Sequence, residues 1–485
     1  MSDIGEVFPD YCGIMLAVNV ENAARVVRNG SLLQQNRGEK GYGITTVHGD
    51  EILFEKRLGT IDEGFPASYD FKNLPGRTAL GHNRYATKGG KHTLSNIQPF
   101  VYTNTKFGQL AFCHNGQLVD NEDIKGKLIS EGTIFQSNSD SELLPHLVFR
   151  SHNAETLEDA VMNSINAIPT AYSAVFMTPK TTVTVRDQYG VRPLSIAKYK
   201  GGFLMASENV TFRMFPEAKL IREVEPGEMI IFREGEDDFE SRTFADANPF
   251  PCAFEPIYFD KPRTTINGSY VEDFRQGTGR KIYQERREFF DKLRDTWGDN
   301  IAVVPVMNSG HQGAIGFAKS SKIPYKQYID KRHHAPSSGG RTFLMDDELE
   351  REQAILMKYD FRMDKMDGKY IITVDDSLVR GNTARIINKI LRNPDMSTDV
   401  PRAAGIINVS LSPMIKNICY LGIDFQTLSE LATYQHQTEG QIAKATGADY
   451  SVFLSLNGLN EEYTRHFRTN ACTGCFGGNY PIKKF

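Results

Sequence analysis

Apolar and polar positions along this chain fall into blocks whose period changes several times. Cys12 to Val18 reads CGIMLAV, an unbroken apolar run of strand length. Leu143, Leu144, Leu147 and Val148 recur at helical spacing. From Tyr172 to Phe232, short apolar runs such as YSAVFMT, FLMASE and EMIIF are separated by turns, the pattern of sheet strands joined in series. Ile301 to Val306 is a further apolar strand, followed by Asn308, Ser309 and Gly310 and then a helix. Ile371 to Val374 forms a short buried strand of the parallel-sheet kind. It ends in Asp375 and Asp376, and a turn with Arg380 and Gly381 leads into a helix that Thr383 can cap, with Ala384, Ile387 and Leu391 on one face.

With 485 residues the chain exceeds what one core organises, so two domains are expected. The polar stretch Glu234 to Asn248, with five acidic residues in its first seven, reads as the connection. A formal net charge of −4 with no basic bias excludes a nucleic-acid binder by composition. Met1 to Asp10 has no apolar signal core and no run is of bilayer length, so a cytoplasmic protein without membrane partners is expected. Its six cysteines then point to metal ligation or catalysis rather than to disulfides.

The second half carries one dense motif. Ligands of open α/β sheets sit at the carboxyl ends of strands, where Asp375 and Asp376 fall. Free N–H groups of a following helix attract an anion, so hydroxyls and a phosphate are both provided for. An acidic helix start favoured by the macrodipole fits the two aspartates alone. The whole run YIITVDDSLVRGNT, Tyr370 to Thr383, resembles the 5-phosphoribosyl 1-diphosphate (PRPP) motif of type I phosphoribosyltransferases. The resemblance implies that Asp375 and Asp376 take the ribose hydroxyls and that Ser377, Arg380, Gly381, Asn382 and Thr383 take the 5-phosphate. It also implies a Mg²⁺ seated by Ser309, Asp375 and Asp376, oxygen donors suited to a hard cation. GRTFL from Gly340, and Arg351 to Lys358, resemble the loop and helix that close over PRPP, with Lys358 facing the pyrophosphate charge.

Four strings in the first half join Cys12: LQQNRGEKGYGI from Leu33, GHNRYAT from Gly81, HNGQL from His114 and SDSE from Ser139. Each alone is modest, since Asn-Gly marks a turn and SDSE fits an acidic first helical turn. Together they resemble the class II glutamine amidotransferases, which carry an N-terminal-nucleophile domain. The resemblance implies that residues 1–11 are removed as a propeptide, so that the Cys12 thiol attacks glutamine with its own α-amino group as base. Asn115 and Gly116 would form the oxyanion hole. Arg84 would hold the glutamine α-carboxylate and Asp140 the α-amino group. Arg37 joins the glutamine-binding set by supporting the nucleophile strand. Tyr11 departs from the Glu common before the cut.

RDQYGVRPL, ASE, EVEPGE and PCAFEPIYFDKPRT extend the likeness to amidophosphoribosyltransferases, from Cys12 to about Pro481. That family resemblance implies a four-layer αββα N-terminal-nucleophile domain over 12–240, then an α/β domain with a mainly parallel sheet over 250–485. It implies glutamine hydrolysis, transfer of ammonia to C1 of PRPP, and a homotetramer. Asn308, where Asp is usual, Asn382, where Thr is usual, and the 333–340 segment depart from the pattern. They leave open an aminating enzyme with a modified donor, beside a PRPP-binding regulatory protein. Adjacent His333 and His334 read as a solvated loop pair. Cys252, Cys419, Cys472 and Cys475 fall where one branch of the family carries the ligands of a [4Fe–4S] cluster. One C-x-x-C also fits zinc or redox chemistry. Cys113 is left as a buried strand residue.

Overall fold

Alternation within a single strand organises the N-terminal half. In β1 (Cys12–Val18), Ile14 and Leu16 face one side and Met15 and Ala17 the other, and all four are fully buried. A strand covered on both faces reads as a continuous apolar run. The computed structural model describes residues 12–85, 93–119, 121–168, 170–332, 355–392, 402–423 and 427–482. They form two units: residues up to Cys252 with 419–423 and 480–482, and residues from Ala253 to Ile418 with 427–479. The expected leader 1–11, the His333–His334 pair, the GRTFL run and Arg351 lie outside the described residues.

The first unit contains two antiparallel sheets. One combines β1 with β2 (Gly41–His48), β3 (Glu51–Leu58), β4 (Thr78–Arg84), β9 (Ser195–Tyr199), β10 (Gly202–Ala206) and β11 (Lys219–Glu223), in the order β11-β9-β10-β1-β4-β2-β3. The other runs β13-β12-β8-β7-β6-β5, from β5 (Phe100–Asn104), β6 (Gly108–Leu118), β7 (Thr170–Met177), β8 (Thr181–Arg186), β12 (Glu228–Arg233) and β13 (Glu240–Thr243). Ile14, Leu16 and Leu80 meet Ala111, Cys113 and Val175 between the sheets. On the outer faces, Met15 and Ala17 pack on Ala23 and Val27 of the helix Ala23–Leu33, and Phe112 and Phe176 on Leu144 and Val161 of the helices Leu143–Arg150 and Leu157–Asn166. Helix, sheet, sheet, helix is the expected four-layer order.

Part of the stretch read as a connection is sheet. Glu240–Thr243 pairs with β12, Ile231 opposite Glu240 and Met229 opposite Arg242. It reads as a linker because an edge strand tolerates charge. Glu240 bridges Arg233 and Arg242 at 2.8 Å each. The first unit therefore continues to Cys252 instead of closing at 240, and it takes in two later stretches that composition did not mark.

The second unit holds four parallel strands in the order Ile301–Pro305, Tyr370–Asp375, Gly405–Ser410 and Tyr450–Phe453. Ala302, Val304, Ile371 and Ile406 form a core with Ile386, Ile387 and Leu391 of the helix Asn382–Leu391. That helix starts two residues earlier than a Thr383 cap requires. Gly381, at φ 77°, is the N-cap, and Thr383 lies inside the first turn. Behind the strand ends, a buried polar network ties helix to sheet. Asn388 Nδ2 donates to Asn408 Oδ1 at 2.8 Å, Asn408 Nδ2 to Thr373 Oγ1 at 2.7 Å, and Thr446 Oγ1 to Asn408 Oδ1 at 3.3 Å. Among the described residues no helix is long and apolar enough to cross a membrane.

Replacing the hub of that network strands its neighbours. Asn408→Ala is expected to cost about 1–3 kcal/mol for each buried group left unpaired, read as an earlier denaturant midpoint for the second unit. An unchanged midpoint would show that the network contributes nothing to stability.

Candidate active sites

The first site gathers where β1 begins. Across the ladder Cys12 lies opposite Arg84, and its backbone N–H donates to Asn115 Oδ1 at 3.4 Å. Cys12 and Asn115 are fully buried and Arg84 is 5% exposed. Asn115 Nδ2 and two guanidinium nitrogens of Arg84, Nε and Nη1, are buried without a hydrogen-bond partner among the described residues. Such unmet donors are costly unless a ligand takes them. Gly116 follows at φ 149°, where an added Cβ would stand 1.9 Å from the Ala171 carbonyl oxygen, so only glycine fits.

Asp140 opens a 3₁₀ turn, Asp140–Glu142, that leads directly into the helix Leu143–Arg150, so SDSE is both a helix start and a site segment. Its Oδ2 accepts the Leu118 N–H at 2.8 Å. Burial raises its carboxyl to about 6, against the pull of the hydrogen bonds from Leu118 and Ser141. Arg37 differs from Arg84. It is fully buried, and its Nε donates to Glu208 at 3.0 Å, so the structure places its charge in an ion pair beside the nucleophile strand.

Three partners here escaped the sequence reading. His114 Nδ1 lies 2.9 Å from Ser141 Oγ, and His82 Nε2 lies 3.2 Å from the His114 carbonyl oxygen. Burial lowers both imidazoles to about 3, so they are neutral supports. Glu142, fully buried, accepts the N–H groups of Gln136 and Ser137 at 2.7 and 2.8 Å and shapes the loop before Asp140. All three sit inside the quoted strings, but only the fold shows what they touch.

The second site lies at the carboxyl edge of the parallel sheet. Asp375 ends its strand and Asp376 follows, 4% exposed. The Ser309 hydroxyl donates to Asp375 Oδ1 at 3.4 Å, the Asp376 N–H to the same oxygen at 2.9 Å, and the Ser377 hydroxyl to Asp376 Oδ1 at 2.5 Å. Burial first, and then the neighbouring Asp376 charge, push the Asp375 carboxyl well up, with the Lys358 charge opposing. Asp376 is raised by burial against hydrogen bonds from Ser309 and Ser377 and the charge of Arg275. Two desolvated carboxylates beside a hydroxyl form a hard-oxygen donor set that fits a divalent cation.

Beyond the acids, Arg380 pairs with Glu430 at 3.2 Å, and Gly381 turns the chain into the helix, which has no side-chain cap at its N-terminus. Uncapped first-turn N–H groups are an anion site. A cavity of about 220 Å³ opens beside Arg380, Gly381, Asn382 and Arg385. Tyr359, whose phenol is raised by burial and then by both aspartate charges, and Arg275, which donates to the Pro256 and Asp260 carbonyls at 2.7 and 2.8 Å, flank the pair unannounced by any motif.

Cys252, Cys419, Cys472 and Cys475 are all buried, the first two in the first unit and the last two in the second. Burial pushes the Cys419 thiol up. Among the described residues no group of three or more His, Cys, Asp or Glu could hold a metal ion.

A family model described as a glutamine amidotransferase domain matches residues 82–213. The amidophosphoribosyltransferase of Bacillus subtilis is 35% identical over 98% of this chain and 94% of its own length. That of Methanocaldococcus jannaschii is 32% identical over 97% and 98%. The solved glutamine PRPP amidotransferase of B. subtilis, complexed with ADP and GMP, superposes with a TM-score of 0.84 at 33% identity, covering 98% of both chains.

A carboxyl held near pH 6 makes the first site sensitive to acid. For a ligand whose ammonium Asp140 holds, affinity is expected to fall as pH drops through about 6, approaching about tenfold per pH unit, because the carboxyl must first lose its proton. A dissociation constant flat from pH 7.5 to 5 would remove Asp140 from the ligand.

Proposed function

The chain belongs to the amidophosphoribosyltransferase family, and from that premise we propose how its residues divide the work. The enzyme hydrolyses glutamine and transfers the ammonia to C1 of PRPP, giving phosphoribosylamine and pyrophosphate at the entry to purine synthesis. One observation carries the assignment of the first site: buried donors of Arg84 and Asn115 without partners beside Cys12. Once residues 1–11 are removed, the Cys12 α-amine takes the thiol proton and the thiolate attacks the carboxamide. The Asn115 amide and the Gly116 N–H stabilise the tetrahedral oxyanion. Arg84 holds the α-carboxylate, Asp140 the α-ammonium, and Arg37 supports the nucleophile strand.

In the second unit, Asp375 and Asp376 bind the ribose hydroxyls. Ser377 to Thr383 and the uncapped helix start cradle the 5-phosphate, and Lys358 meets the pyrophosphate. Ammonia attacks C1, the C1–O bond to pyrophosphate breaks, and the ammonium so formed releases a proton. Ser309, Asp375 and Asp376 would hold Mg²⁺, which when bound offsets the charge building on the leaving pyrophosphate.

Cys252, Cys419, Cys472 and Cys475 are proposed as ligands of a [4Fe–4S] cluster. Support comes from donor chemistry: four buried cysteines match the ligand count. A cytoplasmic homotetramer is the assembly we propose by family resemblance.

Incubation with glutamine, PRPP and Mg²⁺ is expected to yield glutamate and pyrophosphate in equal amounts. Cys12→Ala should lose glutamine-dependent synthesis by about 10³-fold or more and keep synthesis from ammonia. Glutamate release that survives in Cys12→Ala would displace the thiol. Asp375→Asn should lose PRPP use by a comparable factor while glutamine hydrolysis persists, and unchanged PRPP affinity would refute the acid pair. Anaerobically purified protein is expected to contain four iron and four sulfide per chain. Stoichiometric zinc, or no metal in an active protein, would overturn the cluster.

A further inference from the structure

β1 loses one of its two neighbours just where the chemistry starts. Its pairing with β10 reaches only Met15 opposite Ala206, whereas pairing with β4 continues to Cys12 opposite Arg84. On the open side, Ser207 and Gln34 replace the missing ladder. Ser207 Oγ accepts the Ile14 N–H at 3.0 Å, and the Ile14 carbonyl accepts from the Ser207 N–H at 3.1 Å and from Gln34 Nε2 at 3.1 Å. Gln34 then accepts the Glu208 N–H through its Oε1 at 3.1 Å.

Over Gly13 lies the 3₁₀ turn Gln35–Arg37. A Cβ built on Gly13 would sit 3.4 Å from the Cβ atoms of both Gln34 and Arg37, so the turn rests directly on the residue after the nucleophile. One carboxylate oxygen pins that turn: Glu208 Oε1 accepts Arg37 Nε at 3.0 Å and Asn36 Nδ2 at 2.7 Å. The Arg37 and Glu208 side chains are both 0% exposed. A wholly buried ion pair is seldom kept for stability, because desolvation cancels most of its Coulombic gain. What it supplies here is a fixed position for a turn that would otherwise lean on an unpaired strand end.

We propose that Glu208 is a positioning residue for glutamine hydrolysis. It acts through Arg37 and Asn36 to hold the turn that sets the Cys12–Gly13 backbone against the oxyanion donors. The proposal rests on the reading of Cys12 as the nucleophile. Arg84 touches the end of that turn at Gly38 but has two anchors besides it, the ladder pairings with Cys12 in β1 and with Gly41 in β2. Disturbing Glu208 therefore misplaces the attacking group while leaving glutamine bound. A small misplacement of a reacting group costs rate, not affinity.

Full-length enzyme is tested for glutamate release over a range of glutamine, and for PRPP-dependent synthesis from ammonia. Glu208→Gln is expected to lower kcat for glutamine at least tenfold with KM within twofold of wild type, and to leave the ammonia reaction intact. Glu208→Asp, which keeps the charge, should recover part of kcat. The double variant Arg37→Gln with Glu208→Gln removes both buried charges, so it remains testable if the single variant does not fold, and its kcat is expected to stay low. A double variant with wild-type kcat would show that only charge balance matters and would overturn positioning. So would a Glu208→Gln enzyme with unchanged kcat, or one whose KM rises while kcat holds. Wild-type enzyme whose glutamate release does not depend on Cys12 would bring down the reading of the first site and this proposal with it. Failure of the Glu208 arms alone leaves that reading standing.

Discussion

Burial of polar groups is the constraint on which both sites depend. A desolvated donor or carboxylate must find a partner, and where the protein supplies none a ligand is implied. In the first unit that rule separates two arginines of the same type. Arg37 is ion-paired with the buried Glu208, whereas Arg84, opposite Cys12 in the ladder, has two buried donors without a hydrogen-bond partner among the described residues. In the second unit burial resists the charges of two adjacent acids at a strand end.

Both units use a strand end to present chemistry, by opposite means. Asp375 emerges from the centre of a parallel sheet, with neighbours hydrogen-bonded on both sides, so its position follows from the ladder. Cys12 starts a strand whose first three residues are ladder-paired on one side only, so its position is completed by residues from 34–37 and 207–208. The parallel site could be located from a four-residue apolar run followed by two acids. The antiparallel site needed four separated strings before it could be located at all.

Much of this was legible before folding was considered. Apolar runs marked β1 and the strand Tyr370–Asp375, and the strings around Arg84, Asn115 and Asp140 marked the first site. What the sequence hid has physical causes. Glu240–Thr243 looked like a linker because an edge strand is free to carry charge. Thr383 looked like a cap because propensity favours it, but a left-handed Gly381 began the helix first. Glu208 sits in the quoted ASE string, which does not show what it touches, and Tyr359 and Arg275 carry no motif, since these contacts cross long sequence separations.

The division of the chain has a consequence for its biogenesis. Because the first unit takes back residues near 420 and beyond 480, it is not a contiguous product of translation. A nascent chain that has just passed Cys252 holds every strand of that unit's two sheets, yet pieces of the unit remain unsynthesised until the residues near 420 and 480 have been added. The N-terminal layers must therefore persist on the ribosome in an incomplete form. No single cleavage of the finished polypeptide releases either half whole.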